Sequence, residues 1–128
     1  MKGKEIYKAA LNILSETNES SLRSDYEERY PYILALFYGE AEETDKRYRL
    51  ANKLPQAALN VDIEDISEED MPLCDVFASA AAYYLAAMLI IDENFEFSDR
   101  LFEKYASRMA GIYASLPGEN EKIKNVYY

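Results

Sequence analysis

Two groups of carboxylates are the first residues that could do chemistry. Glu40, Glu42, Glu43 and Asp45 form one, and Asp62, Glu64, Asp65, Glu68, Glu69 and Asp70 the other. Clustered carboxylates can hold a hard cation or pass a proton between them. A di-iron site would need Glu-x-x-His pairs on facing helices, and the chain has no His. A calcium loop needs Gly at its sixth position, where "DIEDIS" places Ser67. Both groups therefore read as solvated acidic faces, with no metal site. An enzyme using carboxylate chemistry is the reading ranked last. It would require bound divalent metal and acidic pairs turned inward.

Nucleophiles fare no better. Cys74 falls in the first turn of an Ala-rich helix, where a helix N-terminus could acidify a thiol. Asp75 and Asp70 oppose that effect, and no imidazole is available to activate the sulfur. A packed structural cysteine is expected. Ser and Lys occur at no spacing that pairs a nucleophile with a base. The glycines at 3, 39, 111 and 118 form no phosphate-binding loop. No catalytic, metal-binding or cofactor-binding residue is assigned, and no enzymatic activity is expected.

Charge narrows the partners. The 128 residues carry a formal charge of −10, with a pI near 4.5. An acidic surface repels phosphates, so specific nucleic-acid readout and adhesion to anionic membrane are both disfavoured. One Cys excludes an internal disulfide, which fits a reducing compartment. Apolar residues make up 49%, enough for one domain with a modest core. Twelve Tyr and no Trp suggest surfaces packed at one end and wet at the other.

The elements that must position these groups read as helices. Lys4–Ser15 carries Ile6, Ala10 and Ile13 on one stripe. "SETNESS" ends it. Ser24 with Glu27 suggests a capping box for a second helix, whose stripe is Tyr26, Tyr30, Ile33, Phe37, Ala41, Thr44 and Tyr48. Pro31 inside that pattern must kink or restart the helix. Periodicity fails from Asn52 to Asp70, which predicts a long loop with at most a short helical turn. Pro72 opens the Ala-rich helix, expected to run to about Glu93. Ser98 is expected to cap a last helix with Leu101, Tyr105, Met109, Ile112 and Leu116 on its stripe, stopped by Pro117-Gly118. The prediction is an all-α bundle of about four helices: one domain over 1–118 with a long central loop, then a C-terminal tail or arm over 119–128.

Val76–Ile91 carries no charge. Sixteen helical residues span roughly 24 Å, short of the roughly 30 Å of a bilayer core. No Lys or Arg adjoins the run, and "MKGKEIYKAALNILSE" soon turns acidic without a cleavage-type site. A buried helix is expected, with no membrane partner. Its small residues allow two readings. They pack only inside the subunit, or part of the helix, at Ala78, Ala82 and Ala86, also meets another subunit. The tail likewise frays, or docks on a neighbour through Ile123, Val126, Tyr127 and Tyr128.

Two segments carry a resemblance. "DYEERYPYILALFYGEAEETDKRYR", residues 25–49, and "MPLCDVFASAAAYYLAAMLIIDENFEFSDRLFEKYASRMAGI", residues 71–112, resemble small head–tail connector (adaptor, or head-completion) proteins of tailed bacteriophages and prophages. They cover about half the chain, in the expected order. The resemblance implies an all-α structural subunit without cofactor and without catalytic positions. It implies a homo-oligomeric ring between portal and tail or stopper proteins, formed in solution or only on the portal. The expected location is the virion neck, and the host cytoplasm during assembly. A negative ring wall would let DNA slide past without specific binding. The rival expectation is a monomeric cytosolic helical module that binds another protein through a groove lined by Tyr and Met.

Overall fold

The structure is a computed structural model and describes residues 1–15 and 23–116. Among the described residues four helices make up the fold: α1 (Gly3–Leu14), α2 (Arg23–Ala51), α3 (Ala78–Ile90) and α4 (Phe95–Ala114). A single 3-10 turn, Asp75–Phe77, leads into α3. No β-strand occurs among the described residues, and an isolated antiparallel bridge joins Lys2 to Asp70. The predicted all-α class is what the chain adopts.

The apolar helix is the centre of the bundle. α3 packs against α4, α1 and α2. Ala80, Ala81, Leu85, Ala86 and Ala87 have no exposed surface. Alanine on nearly every side lets three neighbouring helices approach the α3 backbone closely. Larger side chains fill the space beside it. Phe37 of α2 meets Tyr84 of α3 at 5.5 Å and Tyr105 of α4 at 6.0 Å between ring centroids. Each such ring contributes about 1.5–3 kcal/mol by leaving water. The α2 stripe is as its spacing predicts: Tyr26, Tyr30, Ile33, Phe37, Ala41 and Thr44 are buried and Tyr48 is half-buried.

Several boundaries differ from expectation, each for a physical reason. α2 begins at Arg23, so Ser24 lies in the first turn rather than ahead of it. Pro31 causes no restart, and α2 runs through it as one helix. The missing amide bond at the ring is outweighed by the buried Tyr30, Ile33 and Leu34 around it.

The Ala-rich helix starts later than Pro72. Residues 71–74 are not helical, and Cys74 has extended backbone ahead of the 3-10 turn. The Cys74 amide donates to Asp45, and the Pro72 carbonyl accepts from Arg49, so side chains of α2 hold backbone groups here. At the other end α3 stops at Ile90, short of Glu93.

α4 starts at Phe95, not near Ser98. Asn94 is its cap, with a side-chain oxygen that accepts from the Phe97 amide at 3.1 Å. Ser98 lies inside the helix, buried, and its hydroxyl donates to the Ala87 carbonyl at 2.9 Å. Leu101, Ile112 and Leu116 are buried on the α4 stripe, with Tyr105 and Met109 half-buried. The Pro117-Gly118 stop, the arm 119–128 and most of "SETNESS" lie outside the described residues.

Candidate interaction surface

The long segment between α2 and α3 is a fitted part of the fold. Ile66, Met71 and Leu73 are buried, with Leu59 and Val61 packed beside them. Its far end caps α1. The Gly3 amide donates to the Glu69 carbonyl at 3.4 Å and the Lys4 amide to the Ser67 carbonyl at 3.1 Å. These are two of the amides that a helix start leaves without partners. The Met71 amide returns the contact to the Met1 carbonyl at 2.8 Å. Lys4 and Glu68 pair across the seam at 3.0 Å, and the Lys4 ammonium holds the Glu68 carboxyl below its usual range. Gly3 is required here, because a Cβ at that position would stand 2.2 Å from the Ile66 carbonyl oxygen.

Both ends of the segment are clamped by α2. Asp45 was grouped with a solvated acidic face, yet only 5% of it is exposed. One carboxylate oxygen accepts from Arg49 Nε at 2.8 Å and the other from the Cys74 amide at 2.9 Å. Arg49 also donates to the carbonyls of Pro55 at 2.9 Å and Pro72 at 3.0 Å. Planar guanidinium geometry suits this, since one side chain reaches three acceptors in fixed directions. No periodicity argument could have found the clamp. The usable signal was an i,i+4 acid–base pair beside a Pro-rich loop.

Among the described residues no three His, Cys, Asp or Glu side chains stand where they could share a metal ion. Burial pushes the Cys74 thiol up, and the neighbouring Asp45 carboxylate adds to the effect, so the sulfur stays protonated and a weak nucleophile. No described helix is long and apolar enough to cross a membrane.

The expected interface residues separate. Ala86 is completely buried against neighbouring helices of its own chain and offers no surface to a second one. Ala78 and Ala82 line an open groove of about 320 Å³ between α1 and α3, with Ala9, Ile13 and Tyr83 among its walls. Ile123, Val126, Tyr127 and Tyr128 lie outside the described residues.

A second surface was not anticipated. Tyr32, Leu36 and Leu50 project from the outer side of α2 with 64%, 51% and 75% of their surface exposed. Gly39 and Glu43 continue that line, both exposed. Tyr32 also borders a shallow depression with Glu28, Arg29 and Ile33. The signal was legible as apolar residues left over once the core stripe of α2 is assigned. Phe95, 69% exposed, adds an aromatic ring at the start of α4.

The two surfaces share no residue, and one helix contributes the whole of the second. No family model matches the chain, and neither the curated proteins nor the solved structures give a match.

Proposed function

We propose that the chain is a structural subunit of a phage or prophage head–tail connector, forming a ring between the portal and the tail. The resemblance of residues 25–49 and 71–112 suggests the class. The observation that carries the reading further is a pair of separate surfaces, the outer side of α2 with its exposed Tyr32 and Leu36 and the α1–α3 groove. A ring grows by a heterologous contact, in which one patch of a subunit meets a different patch of the next. A subunit for that purpose needs two unlike surfaces. Covering Tyr32, Leu36 and Leu50 would each contribute about 1.5–3 kcal/mol before the cost of association. The charge of −10 opposes self-association. The ring accordingly closes on the portal, which supplies contacts the free subunit lacks. The arm 119–128 and the fitted loop would face portal or tail components.

The same charge favours the second reading, a monomeric module that binds one partner. One experiment separates them: deletion of the gene from the parent phage or prophage, followed by electron microscopy of the particles. The connector reading expects filled or leaking heads without tails. Normal tailed, infectious particles would reject it and leave the monomeric module.

A further inference from the structure

The groove between α1 and α3 is apolar inside and charged at its edge. Ala9, Ala78, Ser79 and Ala82 give it small walls, and no charged side chain lines it among the described residues. Tyr83 closes one side, and Arg108 of α4 stands over that ring at 5.7 Å from its centroid. Arg100, Lys104 and Arg108 follow one another by four residues, so they share one flank of α4. All three are exposed. Glu96, Asp99 and Glu103 turn to the other side of the same face. None of the three cations forms an ion pair among the described residues. The chain has 24 acidic residues and 14 basic ones, so a row of unpaired cations beside an apolar groove is a local reversal of its charge.

The outer side of α2 carries the complementary pattern. Glu28, Tyr32, Leu36 and Glu40 also follow one another by four residues, and all are exposed. Two large apolar side chains therefore stand between two carboxylates. Neither Glu28 nor Glu40 forms an ion pair among the described residues.

We propose that the outer side of α2 in one copy of this chain docks in the α1–α3 groove of the next. Tyr32 and Leu36 lie against the small groove walls, and Glu28 and Glu40 face the row of Arg100, Lys104 and Arg108. Charge is what selects a second copy as the occupant. Two chains of net charge −10 repel, and an acidic α2 face is tolerated only where the partner presents cations. This chain presents them at the edge of its own groove. A partner of another sequence would call for one of the two surfaces, whereas a second copy uses both. Because the surfaces share no residue, each contact leaves one of each kind free, and the contact repeats from copy to copy. The inference deepens the connector reading and rests on it for the place of this contact in a ring.

Two half-blocked variants of the whole chain test it. Tyr32→Lys with Leu36→Lys closes the α2 side and keeps the groove. Ser79→Arg obstructs the groove and keeps the α2 side, and Asn12→Arg replaces it if Ser79→Arg disturbs the amide spectrum of α3. Each variant lacks one half of the contact, so a mixture stops at a pair. Titrating the unlabelled groove variant into the 15N-labelled α2 variant should move amide signals of residues 9–13, 78–83 and 104–108 saturably. Titrating the unlabelled α2 variant into itself should move none. No saturable change up to about 1 mM, or changes confined to other residues, would overturn the proposal. Reversing the cations with Arg100→Glu and Arg108→Glu, or the acids with Glu28→Lys and Glu40→Lys on the partner, should each weaken the pair about tenfold, and both together should restore it. Equal affinity in all four mixtures would overturn it as well. A specific pair, together with normal tailed particles after gene deletion, keeps this contact and rejects the connector. Tailless heads with no pair in solution do the reverse.

Discussion

Asp45 and Arg49 sit one turn apart on α2 and meet at 2.8 Å, and together they hold both ends of the segment that leads to α3. The pair is largely withdrawn from water, with 6% and 15% of the two side chains exposed. Removing one partner strands the other beside unsatisfied carbonyls. Arg49→Leu is expected to cost about 2–3 kcal/mol in urea unfolding. Exchange protection should be lost first over residues 55–74. Lys46→Ala, which breaks an exposed pair with Glu42 on the same helix, should leave the midpoint unmoved.

Glycines 3 and 39 should respond in opposite directions. Gly3→Ala drives a methyl into the Ile66 carbonyl and lifts the loop from α1, at about 1–3 kcal/mol. Gly39→Ala meets open space within a helix and should stabilise by up to about 1 kcal/mol. Thermal melts of the two variants check the pair. Equal effects would contradict the described packing of the loop.

Alkali should unfold the protein through its tyrosines. Burial pushes the Tyr84 phenol up to about 12, with the Glu40 carboxylate and Tyr105 adding to it. Burial likewise raises Tyr38, Tyr30 and Tyr105. An unfolded tyrosine ionises near 10.0. Above that pH the unfolded chain gives up protons that the folded chain keeps, so stability falls as pH rises towards about 12. Tyrosinate absorbance should rise in two phases, exposed rings first and the rest together with loss of helix. A single phase near pH 10, with the helices intact, would refute the burial of these rings.

If the outer stripe of α2 serves assembly, Tyr32→Glu with Leu36→Glu should leave folding unchanged and remove particle tailing. Circular dichroism checks the first part, and complementation of the deleted gene checks the second. Full complementation by the folded double variant would exclude this face from the interface.

Asn94→Ala should cost about 1 kcal/mol by uncapping α4. Ser98→Ala should cost less, because the Ala87 carbonyl keeps its place in the α3 ladder. The order of the two urea midpoints tests which residue begins the helix.

Local chemistry decided what could be read from the sequence alone. The stripes of α2 and α4 and the centrality of α3 follow from periodicity, because burial repeats with the turn of a helix. Helix starts were misplaced where two residues could serve as cap. Ser98 has the right side chain, but its hydroxyl is taken by Ala87 and the start passes to Asn94. Asp45 was misread because its burial comes from a loop that carries no pattern of its own. Ala86 is filled by its own chain, and in sequence an alanine suited to a second chain looks the same. The outer apolar line of Tyr32, Leu36 and Leu50 needed only subtraction of the core stripe. The clamp depends on contacts across the loop that no local window contains.

Capping of α1 by Ser67 and Glu69 also sets an order of events. A helix as short as Gly3–Leu14 is marginal by itself in water. Its first turn is completed only by carbonyls more than sixty positions later in the chain. α3 and α4, joined by a short connection, can meet with little entropy lost in closing the link. α1 must wait, although it precedes the other three helices in the chain. Mutations in its first turn should therefore speed unfolding and leave the folding rate nearly unchanged, a kinetic signature readable in a chevron of Gly3→Ala.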